Sequence, residues 1–164
     1  MARSIESLYE DDFFAWTQLQ ARELDRFRRT RPNVPLDLRH LAEEIRDLGK
    51  EQRNALRSWT ARIIEHLLLL EHSPARDPRP GWSSEIVDFR AEIEERLTAT
   101  LRRDLARRLP QLFADARRRL AQKLGRQGEA NVIARLPEQC PYSLDQILGD
   151  WWPDEQPEPG DGRG

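Results

Sequence analysis

Residues 37–72 have the sequence DLRHLAEEIRDLGKEQRNALRSWTARIIEHLLLLEH, and this segment decides the fold. Its apolar side chains recur every three or four residues, a period that places them on one face of an α-helix. Asp37 comes just before the first apolar residue, where a carboxylate accepts a hydrogen bond from a free N–H at a helix start. The segment therefore predicts one long helix that begins after Asp37.

The second half of this segment is apolar on every side. Between Ile63 and Leu70 the residues Ile64, Leu68 and Leu69 fill the faces that the three-four pattern leaves open. A helix that is apolar around its circumference must be covered by neighbours, so we expect this half at the centre of a bundle. Where the other helices of one chain cannot cover it, a second copy of the protein would. Gly49 lies in the first half and marks a tight contact, a bend or a break.

Three further helices are predicted on either side of the central one. The first covers about residues 8–29 and stops before two prolines that flank a turn, Pro32 and Pro35. Another begins at a cap on Ser83, and its apolar stripe continues to Leu105. Pro110 ends that helix and opens the last main one, which closes near Gly125.

The C-terminal part is predicted to end in a short helix. Ser143 and Gln146 have the spacing of a capping box, and residues 129–136 hold no more than a turn or two. Residues 154–164 are acidic, rich in Pro and Gly, and predicted to be disordered. The sequence thus predicts an all-α protein, a bundle of about four main helices with a long central helix and a short C-terminal helix, as a single domain over residues 1–153.

The composition excludes several classes of protein. The chain has 164 residues, a net charge of −2 and a single cysteine, Cys140, so it forms no internal disulfide. Its longest apolar run, Leu67 to Leu70, is far shorter than the ~20 residues that cross a bilayer. Its first residues lack the apolar core of a signal peptide. We expect a cytoplasmic protein with no membrane partner and no cofactor.

Three stretches of sequence together resemble a known family. They are LYEDDFFAW at 8–16, LAEEIRDLGK at 41–50, which continues to His66-Leu67-Leu68, and EQCPYSLDQIL at 138–148. In this order and spacing they resemble a bacterial family known as domain of unknown function family 29, over about residues 8–153. The resemblance implies a helical fold and carries no function with it.

A metal site is the first chemical hypothesis. His40 lies three and four residues before Glu43 and Glu44, so one turn of the central helix offers a His and two carboxylates. His66 follows 26 residues later, ~39 Å along a straight helix, and joins them only if the chain reverses at Gly49. We favour another interpretation: the two glutamates pair with arginines of a neighbouring helix, and His66 is a hydrogen-bonded core residue.

A basic surface is the second hypothesis. It would form if the third and fourth predicted helices pack antiparallel, and it would bind the phosphates of a nucleic acid. No aromatic residue accompanies it, which weakens this alternative. Cys140 has no base near it in sequence and is interpreted as a small buried thiol beneath the terminal helix. The basic surface consists of Arg102, Arg103, Arg107, Arg108, Arg117, Arg118 and Arg119.

The functional prediction is based on the predicted helical bundle and not on a catalytic motif. Trp16, Trp59 and Trp82 are expected in the core, and Trp151 and Trp152 are expected to fold back over the bundle. We predict a protein-interaction or structural module whose partner is a second copy or another protein. A nucleic-acid-binding protein and a metal-dependent enzyme remain the two alternatives, and a non-enzymatic function is favoured.

Overall fold

The computed structural model describes residues 5–154, and within that range the chain is helical and contains no strand. Four helices are long and three are short, so the prediction of an all-α fold with about four main helices is confirmed. Apart from residue 154, the tail that we predict to be disordered lies outside the described residues. The helices are α1 (Ile5–Asp11), α2 (Phe13–Arg29), α3 (Leu38–His72), α4 (Arg79–Arg96), α5 (Ala99–Arg126), α6 (Ala130–Arg135) and α7 (Leu144–Leu148).

The central helix, α3, has the predicted start and no break. The Asp37 carboxylate accepts a hydrogen bond from the backbone N–H of His40 at 3.2 Å, which confirms the predicted cap. At Gly49 the helix continues, and a Cβ placed there would lie 2.1 Å from Thr17 Oγ1. Gly49 therefore marks a close contact with α2, because no larger residue leaves room for Thr17.

The prediction of one helix over residues 8–29 is wrong, since the chain forms two. Asp12 separates α1 from α2 and is 3% exposed. Its Oδ1 accepts from the N–H of Ala15 at 3.0 Å and so caps α2. Its Oδ2 lies 3.3 Å from the N–H of Thr100, in the first turn of α5. The predicted helix included Asp12, whereas this buried carboxylate serves two helix starts.

The boundary between the next two helices is also corrected. The chain breaks between α4 and α5 at residues 97–98, not at Pro110, which lies inside α5. Thr98 opens α5, and its hydroxyl accepts from the N–H of Leu101 at 3.3 Å. In addition, α4 begins at Arg79, ahead of the predicted cap at Ser83. A proline inside a helix removes one backbone donor, a loss that the long α5 tolerates.

The predictions for residues 129–148 are confirmed. Beyond α5, Gly128 has a φ of +79°, and the N–H of Glu129 returns to the carbonyl of Leu124 at 2.9 Å. The predicted turn or two is α6. Ser143 and Gln146 form the predicted capping box at the start of α7.

The chain divides into two compact units, each with its own core. Unit 1 comprises Met1–Ser58 and Arg96–Arg107, and unit 2 comprises Trp59–Glu95 and Arg108–Gly164. Buried residues of unit 1 include Ala21, Leu56, Leu101 and Leu105. Those of unit 2 include Ile86, Ile93, Phe113, Leu120 and Ile147. The single domain over residues 1–153 stays a prediction.

The apolar half of α3 lies where the sequence predicts it. Ile63, Ile64, Leu67 and Leu68 are fully buried in unit 2, and only Leu69 is partly exposed. Trp16, Trp59 and Trp82 are half-buried rather than enclosed in a core. Within residues 5–154, no helix combines the length and hydropathy that a membrane crossing requires.

Candidate functional site

A buried glutamate on α3 gathers three cations in unit 2. Glu65 is 2% exposed and accepts from Arg119 Nε at 3.0 Å and from Lys123 Nζ at 2.8 Å. Arg62, one turn earlier on α3, lies 3.3 Å from the same carboxylate. A carboxylate excluded from water needs a charged partner, and here it has three. We call Arg62, Glu65, Arg119 and Lys123 the Glu65 cluster.

His66 extends this cluster toward α4. Its Nε2 lies 2.7 Å from a carboxylate oxygen of Glu85, which also lies 3.6 Å from Arg62. Burial lowers the pKa of His66 below its ordinary value, although the hydrogen bond and charge of Glu85 oppose that shift. The ring is then neutral, Nε2 donates to Glu85, and Nδ1 is buried without a partner among the described residues. His66 is the hydrogen-bonded core residue that the sequence predicts.

The predicted His and carboxylate site is not assembled. His40, Glu43 and Glu44 are exposed, and His40 contacts Asp37. Because α3 runs unbroken from Leu38 to His72, the reversal that would bring His66 to them does not occur. The described part of the chain holds no group of three or more His, Cys, Asp or Glu side chains placed to bind a metal ion.

The expected partners of the two glutamates also need correction. Glu43 pairs with Arg39 of its own helix at 3.4 Å, not with an arginine of a neighbouring helix. Glu44 has no side-chain partner within the described residues. An exposed pair of this kind contributes little to stability.

The premise of the predicted basic surface is wrong, because its seven arginines belong to one helix, α5, and not to two antiparallel helices. Several of them also have acceptors. Arg107 lies 3.5 Å from Asp104, and Arg118 lies 2.7 Å from Asp115. Arg117 Nε donates to the carbonyl of Pro137 at 2.7 Å, and Arg119 belongs to the Glu65 cluster. Arg102, Arg103 and Arg108 are exposed on the same helix.

Arg90 on α4 holds the end of the described chain. It is 9% exposed, and its guanidinium donates to the carbonyls of Gln146, Ile147 and Trp151 at 2.8–2.9 Å. Its carbon Cζ also lies 4.9 Å from the centre of the Trp152 ring. These contacts confirm the prediction that Trp151 and Trp152 fold back, here onto α4 of unit 2. Burial lowers the pKa of Arg90, which nevertheless stays charged at neutral pH.

Cys140 is half-buried rather than enclosed, and its thiol donates to the carbonyl of Tyr142 at 3.4 Å. Burial raises the pKa of Cys140, so the thiol is a poor nucleophile at neutral pH. Tyr142 donates its hydroxyl to Glu71 on α3. Burial, together with that carboxylate, raises the pKa of Tyr142.

Sequence reasoning missed Glu65 and Arg90, the two buried charges of unit 2. Glu65 stands among Ile63, Ile64 and Leu67, and Arg90 lies four residues after Ile86 and three before Ile93. A charged residue at a position that helical spacing assigns to the core is the available signal, because such a residue needs a partner. The identity of the partner requires the tertiary structure.

The helices described above define an all-helical protein. Comparison with family models then gives the particular family. The chain belongs to the family described as domain of unknown function DUF29, whose model matches residues 8–152. The resemblance drawn from the three stretches of sequence is therefore confirmed.

A solved structure supports the fold. The chain is similar to an alpha-helical protein of unknown function from Rhodospirillum rubrum, with a TM-score of 0.75 and 27% sequence identity. The similarity covers 92% of each chain. No curated protein matches the sequence.

Proposed function

We propose that the protein is a self-associating interaction module and that its partner is a second copy of the chain, bound through unit 1. The observation that carries this proposal is the distribution of exposed apolar side chains. Seven of the nine large apolar residues exposed in the described chain belong to unit 1. They are Ile5, Tyr9, Phe27, Val34, Leu36, Leu41 and Leu48. Apolar surface concentrated in this way is typical of an interface.

The first half of α3 supplies a helical seam. Leu41 and Leu48 are 40% and 51% exposed and lie seven residues apart, on the same face. Ile45, partly exposed, lies four residues after Leu41 and three before Leu48, and the partly exposed Ala55 lies seven residues beyond Leu48. That spacing is the one by which helices pair side by side. The seam therefore offers a second helix a continuous contact.

Unit 1 also has charges of both signs that its own ion pairs leave free. Glu44 and Glu51 lie three residues after Leu41 and Leu48, beside the seam, and are exposed. No described residue pairs with either side chain. The exposed arginines Arg22, Arg29 and Arg31 of the same unit are likewise unpaired within residues 5–154. A two-fold interface places one copy's acids against the other's arginines, so such a surface is self-complementary.

The single cysteine supports a reducing location. A chain without disulfides suits the cytoplasm, and we propose that the association takes place there.

The test is the mass in solution as a function of concentration, measured by sedimentation velocity. We expect the wild-type protein to be a dimer. Leu48→Glu should raise the dimer Kd at least about tenfold, since it places a charge in the seam. Val87→Glu is the matched control, because Val87 is 54% exposed on α4 of unit 2 and lies outside the proposed interface. A monomeric wild type, or equal weakening by both variants, would refute the proposal.

A further inference from the structure

The charges of the Glu65 cluster do not balance. Arg62, Arg119 and Lys123 contribute three positive charges to one buried carboxylate, and Glu85 adds a second negative charge at the edge. His66 is neutral at pH 7, since burial lowers its pKa. One cation would neutralise Glu65, so the cluster retains an excess of positive charge. Cations held this close repel one another, and an added anion relieves that repulsion.

The cluster also has donors to spare. Glu65 uses only Nε of Arg119 and one N–H of Lys123. The two terminal nitrogens of Arg119 and the remaining hydrogens of Lys123 have no acceptor within the described chain. Both side chains are about half exposed, at 48% and 51%, so a ligand from solution can reach them. A guanidinium edge beside an ammonium group matches the several oxygens of a phosphoryl group.

Glu65 also fixes the position of these donors. It is 2% exposed and anchored in the apolar half of α3, so its two oxygens hold Arg119 and Lys123 side by side on α5. Preorganised donors lose less conformational entropy when a ligand binds than free surface side chains do. Arg126, exposed and three residues beyond Lys123, continues the same face of the helix and has no described partner.

We propose that Arg119 and Lys123, positioned by Glu65, form a binding site for the phosphoryl oxyanion of a small phosphorylated molecule. Arg62 supplies additional positive charge, and Arg126 extends the site along α5. The glutamate is a positioning residue, whereas the arginine and the lysine contact the ligand. The site belongs to unit 2 and is independent of the seam through which unit 1 is proposed to associate.

The test uses pyrophosphate as the probe, at constant ionic strength maintained with chloride, and follows the side-chain N–H signals of Arg119 and Lys123 by NMR. We expect saturable shifts with a Kd of about 1 mM or tighter. Lys123→Gln should weaken binding at least about tenfold, and Lys123→Arg should retain it. Arg118→Gln is the control, because Arg118 is 67% exposed on the same helix and pairs only with Asp115.

Three outcomes would overturn the proposal. The first is shifts that do not saturate. The second is equal weakening by Arg118→Gln, which marks a diffuse charge effect. The third is binding of single-stranded RNA, sensitive to Lys123→Gln, without binding of pyrophosphate. Lys123→Gln leaves Glu65 with two cations, and circular dichroism will verify that the variant is folded. The oligomeric state is measured in a separate experiment. The absence of pyrophosphate binding would therefore leave the dimer proposal intact, and a monomeric protein would leave the proposal of this site intact.

Discussion

The two units use buried charge and exposed apolar surface differently. Unit 2 buries Glu65, His66 and Arg90 and exposes only two large apolar residues among those described. The described residues of unit 1 include two buried carboxylates, Asp12 and Asp104, and seven exposed large apolar side chains. Among the described residues, unit 1 therefore leaves more large apolar side chains uncovered than unit 2 does. A partner that binds unit 1 would bury more of these exposed apolar side chains than one that binds unit 2.

The largest effect is expected from breaking the polar contacts of unit 2. Arg90→Met removes the donors of three carbonyls and the contact with Trp152, so the free energy of unfolding should fall by about 4 kcal/mol. Chemical denaturation measures the loss. Arg118→Met, which removes an exposed arginine of the same unit, should change that free energy by less than about 0.5 kcal/mol. If Arg90→Met lowered the free energy of unfolding no more than Arg118→Met does, the contacts of Arg90 would not stabilise the protein.

The second-largest effect is expected from breaking the buried ion pair of unit 1. Arg57 binds Asp104 with two hydrogen bonds of 2.7 and 2.8 Å, and Asp104 is 9% exposed. Arg57→Met leaves that carboxylate buried, with the weaker contact to Arg107 at 3.5 Å as its remaining hydrogen bond, and should cost about 3 kcal/mol at neutral pH. Arg26→Met, at an exposed pair of the same unit, should cost less than about 0.5 kcal/mol.

The Arg57→Met loss also depends on pH. Burial alone would raise the pKa of Asp104, but the hydrogen bonds and charge of Arg57, with Arg53 and Arg107, outweigh it and lower that pKa below 3.8. Folding therefore favours the ionised form, and this stabilisation is lost as the pH falls below 3.8. The difference in unfolding free energy between wild type and variant should shrink at about pH 3. A pH-independent difference would contradict this account.

A smaller effect is expected where two helices of unit 1 approach closely. Gly49→Ala places a Cβ 2.1 Å from Thr17 Oγ1, so it should destabilise the protein by about 2 kcal/mol even though Ala favours the helix. Thr17→Ala in the same chain should restore most of the loss, as a double-mutant cycle measures. Gly125→Ala is the control, because its nearest contact would be 3.9 Å away. No recovery in the double variant would show that Thr17 is not the obstacle.

The smallest effect concerns His66 in unit 2. Its pKa is lowered in the folded protein, so at about pH 6.5 the unfolded chain binds more protons at this residue than the folded chain does. The free energy of unfolding should therefore fall by up to about 1 kcal/mol as the pH drops from about 7.5 to about 5.5. His66→Gln should remove this part of the pH dependence, and His40→Gln, at an exposed histidine, should retain it. The opposite slope would contradict the direction of the shift.

Local signals in the sequence were sufficient for much of the fold. The cap at Asp37, the capping box at Ser143 and the apolar run after Ile63 each depend on neighbours within one or two turns, and all three are confirmed. The boundaries that the sequence misplaced at Asp12 and at Pro110 depend on distant contacts or on a choice between similar signals. Pro110 is a stronger helix breaker than Thr98 by local rules, but the helix breaks at residues 97–98 and continues through Pro110.

The charged sites were harder to predict. Glu65 needs Arg119 and Lys123 of α5, and these partners lie 54 and 58 residues away. Arg90 needs α7 and the residues that follow it, which lie 56 to 61 residues away. A sequence period identifies which face of a helix is buried, but it does not identify which two faces meet. The histidine and glutamates on α3 were plausible ligands only because spacing along a helix was the sole geometry available.

Because Asp12 accepts hydrogen bonds at the starts of α2 and α5, the N-terminal segment stabilises a helix that is distant from it in sequence. Its carboxylate accepts from Ala15 and from Thr100, and the second contact spans 88 positions of the chain. Trimming the protein through residue 12 should therefore fray the beginning of α5, a helix that the deletion does not touch. The amide of Thr100 becomes a reporter: its hydrogen-exchange rate should indicate whether the N-terminal segment is docked.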